Sequence, residues 1–186
     1  MSYKALTEKS DAYRLLFDFL VRKFEIDLKQ TLRDRSCLIV STNKDDNVWN
    51  IFLSDRRTWE VIRKYKQFES ATALGLKIAE IYENSKIVLT LAGILFFSKF
   101  AKKAKVFVND LGEQIFLYGK DIFKKSIVKI IYPPKGSRFV FVFNKYGDCL
   151  GLGKLLFSPA RFKYITDQKV AVKNIVDLGI YLRQGY

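Results

Sequence analysis

Lys120, Lys124 and Lys125 follow a tight glycine in Leu117-Tyr-Gly-Lys-Asp-Ile-Phe-Lys-Lys-Ser-Ile-Val128, a segment that reads as a strand, a sharp turn and one short helical turn. A spacing of four places Lys120 and Lys124 on one helical face. Lys154 closes Gly147-Asp-Cys-Leu-Gly-Leu-Gly-Lys154, and Arg161 and Lys163 alternate with Phe162 and Tyr164. Ammonium and guanidinium groups neutralise phosphates and release counterions, and aromatic rings between them stack on unpaired bases. In an extended segment the rings of Phe162 and Tyr164 face one way and the charges of Arg161 and Lys163 the other, so the two pairs serve different surfaces. The glycines at 147, 151 and 153 let another backbone approach a strand. They do not form the dinucleotide fingerprint, because no third glycine opens a helix and no acidic residue follows at the right distance. No phosphate-binding loop of the nucleotidase type is present either.

Other chemistries lack their residues. There are 0 histidines, which removes the commonest general base, the commonest metal ligand and every Ser-His or Cys-His nucleophile pair. Cys37 and Cys149 stand in apolar runs and read as buried thiols in a reducing compartment. Neither a metal nor an organic cofactor is expected. Asp45-Asp46 is the one adjacent acidic pair, but within Thr-Asn-Lys-Asp-Asp-Asn it reads as a solvated turn more readily than as a catalytic dyad. Asp18 belongs to the charged side of the first helix. A carboxylate-only mechanism is therefore what remains as the rival to a binding protein, and a protein-binding scaffold presenting Trp49, Trp59 and Tyr65 is a third reading.

The charge has a location. The 186 residues carry 33 Lys and Arg against 19 Asp and Glu, a formal net charge of +14, and such an excess points to polyanionic partners, nucleic acid first. Residues 101–186 hold 16 of the basic and only 6 of the acidic residues. Glycine is concentrated there too, and all 3 prolines lie in that half. Two domains of different texture follow, 1–103 and 104–186, with the boundary in the basic stretch Lys99–Lys105. The longest apolar run, Ile87–Phe97, is shorter than the about 20 residues that cross a bilayer as a helix, and the N-terminus lacks the pattern of a secretory signal. The cytoplasm or nucleus is the expected compartment.

The elements expected to position these residues are of both kinds, giving an α+β protein. Leu6, Tyr13, Leu16, Phe17, Leu20 and Phe24 recur at helical intervals and predict an amphipathic first helix. Runs at 37–41 and 48–54 predict a hairpin, Asp55 a helix N-cap, and 74–82 and 86–93 two more strands, together an N-terminal antiparallel sheet with flanking helices. Beyond them, short strands are predicted at 104–108, 113–118, 126–131, 138–143 and 148–157. Turns of Asn, Pro and Gly separate them, in the spacing of a small β-barrel or sandwich. A terminal helix is predicted from Val172, Ile175, Val176, Leu178, Gly179, Tyr181 and Leu182.

Phe116-Leu-Tyr-Gly-Lys-Asp121, Gly-Asp-x-x-Gly-x-Gly at 147–153 and the closing Val-Lys-Asn-Ile-Val-Asp-Leu-Gly-Ile-Tyr-Leu-Arg183 resemble the PUA RNA-binding domain. They are most similar to the version in the archaeal and eukaryotic Nip-seven family of large-subunit ribosome assembly factors, and Leu74-Gly75, two strands and an apolar helix resemble that family's N-terminal domain. The resemblance implies a PUA-like small β-barrel at 104–186 that holds pre-rRNA, with a preference for U- or A/U-rich single strands. It implies a domain at 1–103 that meets pre-ribosomal proteins or other assembly factors, in a monomer that is not an enzyme. A PUA-containing RNA-modifying enzyme or accessory subunit is the alternative. Lys169 and Lys173 match two positions of the family's basic patch, whereas Val170 and Val176 stand where members carry basic residues. The preceding loop, 157–166, looks longer than usual and is expected to compensate. Location follows source: cytoplasmic in an archaeal cell, nucleolar or nuclear in a eukaryotic one.

Overall fold

The computed structural model describes residues 2–32, 36–42, 48–64 and 74–183. Asp45-Asp46 and Tyr65 lie outside them. The chain forms two compact units, one of residues 1–21 and 27–96, the other of residues 22–26 and 97–186.

In the first unit, β1 (Ser2–Ala5), β2 (Ser36–Thr42), β3 (Val48–Asp55), β4 (Leu76–Tyr82) and β5 (Ile87–Leu89) form an antiparallel sheet in chain order. The β2–β3 pair has the expected hairpin register, Leu38 opposite Leu53 and Val40 opposite Ile51. α1 (Asp11–Phe24) buries Tyr13, Leu16, Leu20 and Phe24 at the predicted intervals. It begins later than the apolar spacing suggests: Leu6 donates its N–H to Leu38 O, beside a first strand too short to announce itself. α2 (Leu28–Thr31) is capped by Asp27. α3 (Arg56–Lys64) is capped as predicted, Thr58 N donating to Asp55 Oδ1 at 2.9 Å. This bond and that from the Thr58 hydroxyl hold the Asp55 carboxyl below its usual range. Trp59 packs against Ile39, Phe52 and Leu74 and is half-buried, as is Trp49, so neither forms an open aromatic patch.

The run at 86–93 is not one strand. It ends at Leu89, and Thr90 turns the chain into α4 (Leu91–Ser98), its hydroxyl donating to Lys77 O at 2.6 Å and accepting from Gly93 N at 3.1 Å. A β-carbon at Gly93 would stand 1.9 Å from Ile78 O, so only glycine lets the helix approach β4.

The second unit is built on β6 (Lys105–Val108), β7 (Ile122–Phe123), β8 (Ile127–Ile131), β9 (Phe139–Phe143), β10 (Cys149–Leu155) and β11 (Val170–Asp177). Their order is β7-β11-β10-β9-β6-β8, antiparallel except for β6 beside β9. The sheet curls into a half-barrel around Val106, Val140, Val142, Ile122 and Val172, all fully buried. Phe24 packs its ring against Phe141 in a tilted arrangement, centroids 4.5 Å apart.

Two predicted elements change type here. Residues 113–118 are not a strand but part of α5 (Asp110–Leu117), because Asn109 Oδ1 accepts from Gly112 N at 2.9 Å and caps a helix whose first turn carries Asp110 and Glu113. Most of the predicted terminal helix is β11, whose β-branched residues fit a strand paired on both sides. Only α7 (Ile180–Arg183) is helical at that end. The stretch after β10 contains one helical turn, α6 (Pro159–Phe162), opened by a proline at its start. Among the described residues no helix is long and apolar enough to cross a membrane.

Candidate nucleic-acid interface

Lys154 on β10 and Lys173 on β11 are direct cross-strand partners, and both are exposed. Residues so paired share a sheet face with β-carbons about 5 Å apart, and like charges in that position repel. Neither lysine has an ion pair among the described residues. The absence has a cause, since each of the 6 acidic residues of 101–186 is already engaged. Asp110 takes Lys145 at 2.8 Å, Asp167 takes Lys124 at 3.4 Å and Asp177 takes Arg183 at 2.9 Å. Glu113 and Asp148 accept from Asn144 Nδ2, and Asp121 accepts from Asn174 N. Lys120, Lys125, Arg161, Lys163 and Lys169 are likewise exposed and without an ion pair among the described residues. Residues 101–186 therefore hold an excess of positive charge, with three of their acids in ion pairs and the other three bonded to neutral amides.

The topology gathers most of the nominated residues around β11. β7 pairs with its first half, so the segment that carries Lys120 and Lys125 runs beside Lys169 and Lys173. Lys124 N donates to Lys169 O at 2.9 Å and Lys125 N to Asp167 O at 3.2 Å, continuing the ladder into a 3₁₀ turn at Lys124–Ser126. On the other side β10 brings Lys154.

Three details of the sequence reading do not survive. Lys120 and Lys124 share no helical face, because β7 intervenes between them. Lys124 is largely withdrawn from the surface: its Nζ donates to Ile165 O at 2.7 Å and stands over the Phe162 ring, 5.9 Å from its centroid. It pins the 157–169 loop. Phe162 and Tyr164 do not alternate with Arg161 and Lys163 across an extended strand, because 159–162 is helical. Phe162 is half-buried beneath Lys124, whereas Tyr164 is 86% exposed. A stacking role thus fits Tyr164 and not Phe162.

The motifs that carry the resemblance converge on one architectural knot. Arg183 forks onto both carboxylate oxygens of buried Asp177, at 2.9 and 3.1 Å, and donates to Leu117 O. Asn174 Nδ2 donates to Asp177 Oδ2 at 3.1 Å and to Phe116 O at 2.9 Å, while its N–H reaches Asp121. A β-carbon at Gly179 would lie 1.7 Å from Leu117 O, and one at Gly151 would lie 2.2 Å from Val176 O at a φ of +150°. These residues join α5, β7, β11 and α7 into one body, and sequence reasoning quoted them without seeing that they bind each other. The nearest signal was a buried-position aspartate followed six residues later by arginine in a segment of apolar residues.

Asp177 is the one carboxylate buried among the described residues, and it is committed to this pair. Burial pushes the Cys149 thiol above its ordinary value, opposed by a hydrogen bond with Ser98. Among the described residues no three His, Cys, Asp or Glu side chains cluster as a metal site.

Residues 104–186 match the model of the UPF0113 PUA domain family. A UPF0113 protein of Archaeoglobus fulgidus is 36% identical over 109 residues, which span 59% of this chain and 60% of the relative. A conserved PUA domain protein from Thermoplasma acidophilum has a similar fold, with a TM-score of 0.62 at 16% identity over 100% of this chain and 99% of that one. So does a PUA domain from Aeropyrum pernix K1 solved as a tartrate complex, at 0.59 and 14% identity over 96% and 86%. The C-terminal segment 104–186, with its curled sheet and its knotted α5–β11–α7 end, is thus similar to the UPF0113 PUA domain.

Proposed function

We propose that this protein is a non-catalytic ribosome biogenesis factor that holds pre-rRNA of the large subunit through its PUA domain. In this reading the first unit meets protein partners of the assembling particle. Large apolar side chains exposed on its sheet, Leu76 and Val88, support the assignment. The protein works in the cytoplasm of an archaeal cell or the nucleolus of a eukaryotic one. One observation carries the RNA reading: Lys154 and Lys173 face each other across β10 and β11, both exposed and neither with an ion pair among the described residues. A protein that keeps two repelling cations side by side has an anion to place on them, and the phosphate backbone supplies closely spaced charges. Single-stranded RNA fits better than duplex because Tyr164 offers an exposed ring for stacking beside the charges.

The test is a salt titration of binding to a short U-rich single strand, with the full protein and with Lys154→Gln/Lys173→Gln. Each lysine that neutralises a phosphate contributes about 0.7 to the log–log salt slope for single strands. The double variant is expected to reduce the slope by about 1.4. An unchanged slope, or a wild-type protein indifferent to salt, would remove the proposal. Crosslinking in cells separates large-subunit precursor rRNA from other RNA.

A further inference from the structure

Beyond the start of β9 the second unit contains a groove of about 610 Å³ between the 132–138 turn and residues 155–159. Its wall includes all 3 prolines of the chain, at 133, 134 and 159, so its backbone is stiff. The turn itself is closed by Ser137 N donating to Pro134 O at 3.0 Å, with Gly136 at a φ of +85° where such a turn demands glycine. Two aromatic side chains, Tyr132 and Phe157, line the groove, and two exposed cations, Lys135 and Arg138, stand at it. Neither cation has an ion pair among the described residues.

Two observations point to an occupant. Ser137 Oγ, in the groove wall, is shut from solvent and has no hydrogen-bond partner among the described residues. A buried hydroxyl in that state is rare and calls for a partner. The groove also adjoins the basic pair along the backbone of β9 and β10. Leu155, which lines it, directly follows Lys154 and donates its N–H to Arg138 O at 2.8 Å, and Phe139, after Arg138, is the cross-strand partner of Lys154.

We propose that this groove is a subsite for one unpaired nucleotide of the bound RNA. Its base lies against Tyr132 and Phe157, with Ser137 Oγ bonding the base edge, and its phosphate lies between Lys135 and Arg138. The proposal rests on the RNA reading above and adds base contact to what is otherwise backbone attraction. A volume of this order suits a small ligand held in a mostly apolar site with a few polar groups.

The experiment compares two probes on the full protein, a ten-residue uridylate oligomer and an abasic ribose-phosphate oligomer of the same length and charge. Wild type is expected to prefer the uridylate. Tyr132→Ala/Phe157→Ala is expected to weaken uridylate binding about 5- to 150-fold, the loss of one stacked base, with abasic binding and salt slope unchanged. Lys135→Gln/Arg138→Gln is expected to weaken both probes and reduce the slope. Should the alanine pair fail to fold, as judged by its urea midpoint, Tyr132→Leu and Phe157→Leu keep the apolar volume and remove the aromatic face. Equal losses on both probes, or no loss on uridylate, overturn the subsite while leaving backbone binding intact. A polyglutamate peptide that displaces the uridylate as well as RNA does assigns the groove to an acidic peptide and overturns it too. Absence of salt-sensitive binding of either probe by wild type is the different failure, that of the RNA reading itself.

Discussion

β11 carries two opposite uses of charge four residues apart. At Asp177 a carboxylate lies buried, gripped by both arms of Arg183 and by Asn174. At Lys173 an ammonium stands exposed opposite a second lysine, with no counterion among the described residues. The first arrangement ties the end of the chain to α5 through Leu117 O and is complete in itself. The second is complete only with something negative added. Asn174, Asp177, Gly179 and Arg183, which stand in the motifs that carry the resemblance, belong to the first kind and report the fold, whereas Lys173 in the same motif belongs to the second.

The largest expected effect comes from breaking the knot. Asp177→Ala leaves a guanidinium facing Leu117 O and Asn174 without its carboxylate. The charge left behind is that of Arg183, whose side chain is 35% exposed to water, so the expected loss is that of hydrogen bonds to a buried carboxylate, about 1.5–3 kcal/mol for one such bond. Urea denaturation reads this as a lowered midpoint. RNA affinity measured under conditions where the variant remains folded should stay near wild type, because no group on the Lys154–Lys173 face has changed. A large affinity loss in folded Asp177→Ala protein would erase the distinction between the two regions.

Reversing the open charge should act with opposite signs on binding and on stability. Lys173→Glu replaces a repelling cross-strand pair with an attracting one, worth about 0.2–1 kcal/mol to the sheet, and places a negative charge where phosphate is expected. The urea midpoint should rise slightly while RNA affinity falls about tenfold or more at low salt, the difference shrinking as salt is raised. A variant that loses both stability and affinity would show that Lys173 belongs with Asp177 as a structural residue.

The open region was more legible from sequence than the closed one, for physical reasons. An exposed lysine excess needs no knowledge of partners, so the basic character of 101–186 and the place of Lys154 follow from composition and turn spacing alone. That Lys154 and Lys173 oppose each other is a matter of strand register, and β11 was hidden by apolar residues at 172, 175 and 176 whose intervals imitate a helix. Likewise 113–118 ends in the apolar and aromatic run Ile-Phe-Leu-Tyr, which suits a strand, and a hydrogen bond from Gly112 N to Asn109 Oδ1 caps it as helix. Lys124 reads from sequence as one more surface cation, and only the fold of the 157–169 loop shows it spent on Ile165 O and Asp167. Local propensity located the charge, but pairing decided which charges are free.

A third arrangement, in the first unit, lies between the two extremes and carries the smallest expected effect. Glu80 meets Lys77 Nζ at 2.6 Å and accepts from the Tyr82 hydroxyl at 2.7 Å on a partly solvated edge of β4. The hydrogen bond from Lys77 and then that from Tyr82 hold the Glu80 carboxyl below its ordinary value of 4.5. A carboxylate depressed in the folded state adds stability that is fully present above the unfolded value and lost as pH falls through the folded one. Glu80→Gln should therefore lower the urea midpoint modestly at neutral pH, by less than about 1 kcal/mol as expected of a surface pair. The gap between variant and wild type should begin to close as pH drops below 4.5. RNA affinity should not move. A gap that stays constant through the acid range would mean that Glu80 contributes by packing its stem against β4 and not through its charge, leaving Asp177 as the stronger case for paired charge acting as structure.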